Sequence, residues 1–407
     1  MLPNRVAMLS LHTSPLAQPG SGDGGGMNVY VRSLASALVR AGVECDLVTR
    51  ADHRGAERVV TLEPGVRVVH LDAGPRHPLP KHDLVGLHDE FVDAAERWLR
   101  GPGRADVLHA HYWIAGSVAH TLKHRLGVPM VATFHTLAQA KADAGINDDP
   151  AHRRDIEADV VRCADGLVVS TFEERDLLVA RYDAVPERIE IIPPGVDHAV
   201  FTPGDAARVR RHWRAGRDPV LLFVGRIQPL KGVDLAVQCL AALDHPYAQL
   251  VVVGGPSGSD GDAELARVHR LARDLGVADR VRFEPARAHE DLACYYRAAD
   301  VVLVPSRTES FGLVALEAAA CGTPVVASSV GGLRAIVDHG VSGYLVDERD
   351  PYAYAAHVRD VLRDPAHATE MRAQAAARAR QYTWSIAAAR LRRLYADVPA
   401  RELVRCM

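Results

Sequence analysis

The chain has 407 residues, 48% of them hydrophobic, so it can fill two domain cores of ordinary size. A net charge of -3, from 48 basic and 51 acidic residues, gives no general reason to expect nucleic acid or an anionic membrane as a partner. No apolar run approaches a membrane span, and the N-terminus lacks a signal peptide's apolar region. We therefore expect a cytoplasmic protein of two domains.

Six cysteines are scattered along the chain without a close pair. Such spacing argues against a zinc site and against a disulfide framework, so we expect reduced thiols. The cysteines are Cys45, Cys163, Cys239, Cys294, Cys321 and Cys406.

In the first half of the chain, short runs rich in Val, Ile and Leu alternate with helical patterns. The expected strands cover residues 6–11, 44–49, 66–71, 107–110, 130–133 and 166–170, and the expected helices cover residues 27–41 and 153–163. This alternation predicts an α/β domain with a mainly parallel sheet. The turn-rich segment 193–204 is typical of a linker between domains.

The same pattern starts afresh after the linker. The expected strands cover residues 220–224, 248–253, 281–283, 301–304 and 324–327, and the expected helices cover residues 232–242, 263–275, 289–298, 313–320 and 385–395. We predict two doubly wound Rossmann-like domains, residues 1–200 and 201–383, facing across a cleft, with residues 384–407 returning to the first domain. Open α/β sheets bind ligands at the carboxyl ends of their strands, so the cleft is the expected active site.

Two carboxylates, Glu309 and Glu317, lie eight residues apart across a predicted junction between a loop and a helix. The start of a helix offers backbone N–H groups and a positive dipole end to an anionic ligand. Because carboxylates repel phosphate, their expected partners are hydroxyls of a ribose and of a hexose. An ordinary amphipathic helix with an acidic residue before it is the alternative.

A glycine-rich loop, residues 18–28, joins the first strand to the first helix. Such a loop lets backbone N–H groups approach a diphosphate. It lacks the spacing of a dinucleotide fingerprint and the lysine of a Walker loop. A plain connector is the alternative interpretation.

Two cations, Arg226 and Lys231, directly follow the first predicted strand of the second domain. An arginine can bind two phosphate oxygens while a lysine supplies a point charge, which suits a diphosphate leaving group. Two solvated surface cations are the alternative.

Gly225, Arg226 and Lys231, together with residues 309–317, resemble the retaining glycosyltransferases with the two-domain GT-B fold, and the resemblance covers nearly the whole chain. Segments 10–15, 25–30, 109–113, 135–137, 254–258 and 310–315 are most similar to the members that act on inositol phosphate in mycothiol biosynthesis. The resemblance implies transfer of N-acetylglucosamine from UDP-N-acetylglucosamine to 1D-myo-inositol 3-phosphate, with retention at the anomeric carbon. In this family a phosphate oxygen of the leaving group takes the acceptor's proton, and no carboxylate nucleophile is needed.

The resemblance also assigns roles to residues. The expected catalytic residues are His135, Arg226, Lys231 and Glu309. The expected donor-binding residues are Gly25, Gly26, Arg226, Lys231, Arg287, Glu309, Ser310, Phe311, Gly312, Leu313 and Glu317. The expected acceptor-binding residues are Asn28, Lys81, Tyr112, Thr136 and Arg153. In these roles Glu317 binds the ribose, Arg287 lies near the uracil, and Lys81 and Arg153 clamp the acceptor phosphate.

Two segments depart from the family pattern, residues 75–81 and the stretch between His135 and Arg153. Both departures concern the acceptor. A paralogue of secondary metabolism, using another nucleotide sugar and a small-molecule or thiol acceptor, is therefore an alternative. A sugar-nucleotide epimerase or hydrolase and a non-catalytic nucleotide-sugar binding protein are further alternatives.

No cofactor is expected to be required, because Arg226 and Lys231 can neutralise the diphosphate and no Asp-x-Asp metal motif is visible. The resemblance also allows a structural Mg²⁺ held by backbone oxygens near residues 296–299. The expected partners are a nucleotide-sugar donor and a small-molecule acceptor. A homodimer would fit the relatives.

Overall fold

The computed structural model describes residues 4–20, 22–146, 149–258 and 261–405. The chain divides into two compact units. The first contains Met1–Ala17, Gly26–Gly195 and Trp384–Met407, and the second contains Gln18–Gly25 and Val196–Thr383. Residues 18–25 of the glycine loop were predicted in the first domain but belong to the second unit. The loop is bonded to that unit through Gly20, whose carbonyl oxygen accepts from Gly255 N.

The first unit is built on one large sheet. Its strands are β1 (Arg5–Leu9), β2 (Glu44–Arg50), β3 (Val59–Glu63), β4 (Val66–Leu71), β5 (Val107–His111), β6 (Met130–Thr133), β7 (Gly166–Val169) and β8 (Ile189–Ile191). Its helices include α1 (Gly26–Arg40), α2 (His88–Leu99), α3 (Trp113–Leu126), α4 (Ala138–Asp143), α5 (Arg153–Cys163) and α6 (Phe172–Tyr182). The strand order is β3-β4-β2-β1-β5-β6-β7-β8.

The second unit contains a smaller sheet. Its strands are β9 (Val220–Val224), β10 (Gln249–Val253), β11 (Val281–Glu284), β12 (Val301–Val304), β13 (Val325–Ser328) and β14 (Gly343–Val346). Its helices are α7 (Ala207–Trp213), α8 (Val233–Ala242), α9 (Gly261–Asp274), α10 (Leu292–Ala298), α11 (Leu313–Ala320), α12 (Leu333–Ile336), α13 (Pro351–Arg363) and α14 (Pro365–Ala379). The strand order is β11-β10-β9-β12-β13-β14. The last helix, α15 (Trp384–Asp397), belongs to the first unit.

All neighbouring strands described in both sheets run parallel except β3, which pairs antiparallel with β4. Parallel strands need both faces covered, which explains their continuous apolar runs. Chain progression reverses between β1 and β5 in the first sheet and between β9 and β12 in the second. Such a reversal opens a crevice at the carboxyl ends of the strands, where doubly wound folds bind ligands.

The cysteines differ in part from the expectation. Free thiols occur at Cys45, Cys239, Cys294 and Cys321. Cys163 is disulfide-bonded, which corrects the expectation of reduced thiols throughout. Spacing along a sequence does not report which cysteines a fold brings together. Cys406 lies outside the described residues.

Helix length and hydropathy bear on membrane insertion. Within the described ranges, no helix is both long enough and apolar enough to cross a bilayer.

Candidate functional site

Lys231 and Glu309 form an ion pair at the carboxyl end of the second sheet. Lys231 ends the 3-10 turn Pro229–Lys231 after β9, and Glu309 lies in the loop after β12. The lysine Nζ donates to Glu309 Oε2 at 2.6 Å, and Ser306 Oγ donates to the same oxygen at 3.3 Å. Because β9 and β12 are neighbours at the strand reversal, the fold brings together two predicted catalytic residues 78 positions apart.

Arg226 follows β9 and lies against the glycine loop. A Cβ added at Gly25 would lie 3.2 Å from Arg226 Nε, so a side chain there would press on the guanidinium. Nη1 of Arg226 donates to Ser257 Oγ at 3.3 Å. The loop is held by Gly20, whose carbonyl oxygen accepts from Gly255 N at 2.9 Å. Gly25 therefore lies beside a predicted phosphate-binding cation.

Helix α11 begins at Leu313, directly after Gly312. Gly312 has φ of 100°, a left-handed conformation that favours glycine. Phe311 is buried, and its ring packs against Tyr382 with centroids 5.6 Å apart. The predicted helix start is thus formed, and Ser310 lies in the loop before it. Gly26, also predicted to bind the donor, is the first residue of α1 and belongs to the first unit.

Glu317 lies on α11 and is almost fully buried, with 4% of its surface exposed. His289 Nε2 is 2.7 Å from Oε1, and Tyr296 OH donates to Oε2 at 2.8 Å. Burial, followed by the nearby Glu317 charge, raises the pKa of Tyr296 well above its usual value, so its hydroxyl stays protonated as a donor. Both oxygens of this predicted ribose-binding carboxylate therefore already have protein partners.

Arg287 is held by Glu284, the last residue of β11. Arg287 Nη2 donates to Glu284 Oε2 at 3.0 Å, and Tyr295 OH donates to the same oxygen at 2.8 Å. Trp213 Nε1 donates to Oε1 at 3.0 Å. Burial alone would raise the pKa of Glu284, but the hydrogen bonds from Tyr295, Arg287 and Trp213 outweigh it and lower the pKa. The guanidinium predicted near the uracil is thus fixed by a charged carboxylate.

In the first unit, Tyr112 and His135 follow the neighbouring strands β5 and β6. Their φ angles are 79° and 62°, in the left-handed region that side chains rarely adopt. Such backbone strain costs about 1–3 kcal/mol per residue and clusters at functional sites. Two predicted site residues are therefore strained at the carboxyl edge of one sheet.

Arg153, at the start of α5, joins the predicted acceptor residues Tyr112 and Thr136. Its Nε donates to Glu157 at 2.7 Å. Nη1 donates to Tyr112 OH at 3.2 Å and to Asp149 at 2.8 Å. Nη2 donates to the carbonyl and the hydroxyl of Thr136 at 2.7 and 3.2 Å. All five N–H groups of a guanidinium are thereby used.

Arg153 is also completely buried. Burial would lower its pKa, but the neighbouring Tyr112, Glu157 and Asp149 outweigh burial and raise it. In this structure the arginine predicted to clamp phosphate instead links Tyr112, Thr136 and two carboxylates, and a phosphate would have to displace one of these partners. The phosphate role stays a prediction.

The other two predicted acceptor residues differ in burial. Asn28, on α1, is buried and donates to Thr13 Oγ1 at 3.1 Å and to Ser14 O at 2.6 Å. Lys81 is half-buried and lies in the loop between β4 and the 3-10 turn Asp83–Leu87. Of this pair, the lysine is therefore the more accessible to a ligand.

The loop before Lys81 has an anchor that was not predicted. Arg50, the last residue of β2, is buried and donates from Nη1 to Pro75 O and from Nη2 to His77 O, both at 2.6 Å. The loop that departs from the family pattern is therefore held by its main chain.

Both halves of the chain match known families. Residues 24–200 match the family model described as Glycosyltransferase Family 4, and residues 206–382 match that described as Glycosyl transferases group 1. A D-inositol 3-phosphate glycosyltransferase from Acidothermus cellulolyticus is 47% identical, over 98% of this chain and 92% of that protein. One from Thermobispora bispora is 46% identical, over 98% of this chain and 96% of that protein. The chain belongs to the D-inositol 3-phosphate glycosyltransferase family.

The fold of this glycosyltransferase agrees with a solved relative. Sucrose-phosphate synthase from Thermosynechococcus elongatus superimposes with a TM-score of 0.92 at 33% identity, over 98% of this chain and 99% of that chain. The prediction of two Rossmann-like α/β domains of the GT-B class is therefore confirmed.

The Mg²⁺ site allowed by the resemblance does not fit the residues of this glycosyltransferase. The carbonyl of Ala298 accepts from Arg210 at 2.9 Å, and that of Ala299 accepts from Arg372 at 3.4 Å. The carbonyl of Tyr296 accepts from a threonine hydroxyl at 2.6 Å. The carbonyl oxygens of Ala298 and Ala299 thus already face guanidinium cations, which would repel a metal ion.

A second group of metal-binding residue types lies away from the glycosyltransferase residues above. His120, His124 and Cys163 place one ligand atom each within 4.8 Å of one another. Because the sulfur of Cys163 is in a disulfide, it is not a thiolate ligand, and we assign no metal there.

Proposed function

We propose that this glycosyltransferase transfers N-acetylglucosamine from UDP-N-acetylglucosamine to 1D-myo-inositol 3-phosphate, with retention at the anomeric carbon. The proposal is carried by the 47% identity, over 98% of the chain, to a protein named D-inositol 3-phosphate glycosyltransferase. The Lys231–Glu309 pair and the cluster around Arg153 support it, because they supply the polar and charged groups that a diphosphate and a phosphorylated polyol require.

On the donor side, Arg226 and Lys231 stabilise the negative charge that grows on the leaving diphosphate. When the diphosphate draws Lys231 away from Glu309, the released carboxylate accepts from hydroxyls of the hexose. Glu317 binds the ribose, and His289 with Tyr296 holds that carboxylate in place.

In the transfer step, the bond between the anomeric carbon and the diphosphate oxygen breaks on the same face on which the acceptor oxygen bonds. The acceptor's hydroxyl proton passes to a phosphate oxygen of the leaving group. This route keeps the configuration and uses no carboxylate nucleophile. His135 orients the transferred sugar in this proposal.

On the acceptor side, Lys81 binds the phosphate. Tyr112 and Thr136, both held by Arg153, contact the acceptor's hydroxyls and remaining phosphate oxygens. Asn28, whose amide nitrogen donates to Thr13 and Ser14, completes the acceptor contacts in this proposal. In this proposal, recognition of the acceptor depends on the fixed polar groups around Arg153 and on the half-buried cation of Lys81.

Assembly and location are part of the proposal. We propose a homodimer in the cytoplasm that uses no metal for chemistry. Light scattering tests the dimer, cell fractionation tests the location, and activity after treatment with EDTA tests the metal.

The deciding experiment is a screen of donors against acceptors, read by mass spectrometry of the product. Donors are the UDP and GDP forms of N-acetylglucosamine and glucose. Acceptors are 1D-myo-inositol 3-phosphate, myo-inositol, fructose 6-phosphate and small thiols. We expect product from UDP-N-acetylglucosamine with the inositol phosphate, and little from unphosphorylated inositol.

Other results would select an alternative. Product with a thiol or another acceptor alone would favour a paralogue of secondary metabolism. UDP release of similar size without any acceptor would favour a hydrolase or epimerase. Donor binding without product from any acceptor would favour a non-catalytic binding protein.

A further inference from the structure

His111 is the last residue of β5 and has no role in the proposed reaction. It is completely buried, and its Nδ1 lies 3.0 Å from Nε2 of His135, the proposed sugar-orienting residue. Since both atoms belong to imidazoles, one must carry a proton and the other must accept it. The identity of the donor decides which ring nitrogen of His135 carries the proton.

The other nitrogen of His111 settles the direction of this bond. Its Nε2 is buried and has no hydrogen-bond partner among the described residues. Burial, followed by the neighbouring His109 and His135, lowers the pKa of His111 well below its usual value, so the ring is neutral and carries one proton. A proton on Nε2 would be a buried donor without an acceptor, which folded proteins rarely contain, whereas an unused acceptor is less costly.

We infer that His111 is a positioning residue: its Nδ1–H donates to Nε2 of His135 and thereby holds His135 in the tautomer with the proton on Nδ1. The relevance of this to sugar transfer rests on the proposed function. The tautomer itself does not, because it is a property of the protein without substrate.

Several contacts keep the His111 ring in place. His109 lies against it with centroids 4.2 Å apart, and Tyr30 meets its edge at 5.8 Å. His109 is itself bonded to Thr133 Oγ1 at 2.8 Å and to Tyr395 OH at 2.5 Å. Tyr395 of helix α15 therefore helps to orient the His111 ring through His109. A fixed donor ring is what a positioning role requires.

The inferred tautomer has a chemical consequence. With its proton on Nδ1, His135 can donate from that atom to a sugar or phosphate oxygen but cannot accept a proton there. Its Nε2 is occupied by His111. A neutral His135 fixed in this way is a hydrogen-bond donor and not a general base, in agreement with a phosphate oxygen taking the acceptor's proton.

Two isosteric variants test the inference. In His111→Asn the amide nitrogen occupies roughly the place of Nδ1 and still donates to His135, whereas in His111→Gln the amide lies near the place of Nε2. The tautomer of His135 is read by NMR of protein labelled with 15N-histidine, without substrate. We expect the Nδ1–H form in the wild type and in His111→Asn, and a mixture in His111→Gln.

Kinetics give a second readout. We expect His111→Gln to lose about 10- to 100-fold in kcat with little change in acceptor KM, and His111→Asn to keep most of the activity. Thermal melting checks that both variants fold, and His53→Asn, at an exposed histidine, is the matched control.

The two proposals can fail separately. An Nε2–H tautomer of His135 in the wild type, or the same tautomer mixture in both variants, would overturn the role of His111. A protein inactive on inositol phosphate but with the Nδ1–H tautomer would overturn the proposed function and leave the positioning role standing.

Discussion

Lys231 Nζ and Glu309 Oε2 lie 2.6 Å apart at the strand reversal of the second sheet. The side chains are 24% and 18% exposed, so the pair is accessible to a ligand. Each residue therefore neutralises the charge of the other, and in the proposed reaction the donor's diphosphate competes for the lysine.

Replacing Lys231 by Ala should lower kcat/KM by about 100-fold or more, because it removes a cation that stabilises the leaving group. Partly exposed ion pairs contribute only about 0–1 kcal/mol to folding, so the melting temperature should change little. UDP release and thermal melting measure the two effects. Arg363→Ala, at an exposed cation on α13, serves as control. Full activity in Lys231→Ala would contradict the donor assignment.

Replacing Lys81 by Ala should raise the acceptor KM about 10-fold and leave the donor KM unchanged, because one charged contact with the phosphate is lost. Initial rates at varied acceptor and donor concentrations measure the difference. Arg76→Ala removes an exposed cation from the same loop and should behave like the wild type. Equal changes in both KM values would argue against a phosphate contact.

Replacing Arg153 by Ala should destabilise the first unit by about 3–5 kcal/mol, because it leaves buried Glu157 without its cation. Chemical denaturation followed by circular dichroism measures the loss. Arg154→Ala, at the exposed next position, is the control. A large rise in acceptor KM with unchanged stability would instead support direct binding of the acceptor phosphate by Arg153.

Acid should destabilise the protein through its buried histidines. Burial lowers the pKa of His109 and of His135 to about 3 and that of His111 well below 6.5. Below pH 6.5 these histidines therefore bind protons in the unfolded chain but stay neutral in the folded state, so stability falls as pH falls. The slope is at most about 1.4 kcal/mol per pH unit for each group.

Glu174 opposes this trend. Burial raises its pKa to about 7, so between 4.5 and 7 the folded state holds a proton that the unfolded state releases. Its contribution to stability falls as pH rises, opposite in sign to the three histidines. We expect a net acid-induced fall in melting temperature that is steeper in Glu174→Gln. A wild-type melting temperature that rises from about pH 6.5 to about pH 5 would contradict the assignment.

Parts of the fold were predictable because a continuous run of apolar residues marks a buried strand. The apolar run of β12 predicts Val301–Val304, and the structure has those bounds. Strand β3 was missed because it is a partly exposed edge strand with mixed polarity. Helices α13 and α14 were also missed, although Asp350 and Asp364 cap them and a proline follows each aspartate.

The site was predictable only in part. Lys231 and Glu309 each lie in a connection between a strand and the helix that follows it, where doubly wound folds bind ligands, so sequence position suggests function. The contacts of Glu317 with His289 and Tyr296 span 28 and 21 positions, and no local pattern reports them. The ion pair of Arg153 with Glu157 was missed as well, although the two residues lie four positions apart on α5, a spacing that favours ion pairs on a helix.

The hydrogen bonds from Arg50 to the loop before Lys81 affect how this enzyme can be re-engineered. Arg50 bonds only to the carbonyl oxygens of Pro75 and His77 within that loop. Every amino acid supplies such an oxygen, so substitutions at neighbouring positions leave the anchor intact. Acceptor preference can therefore be explored by varying the side chains of residues 77–79 while Arg50 and Lys81 are kept unchanged.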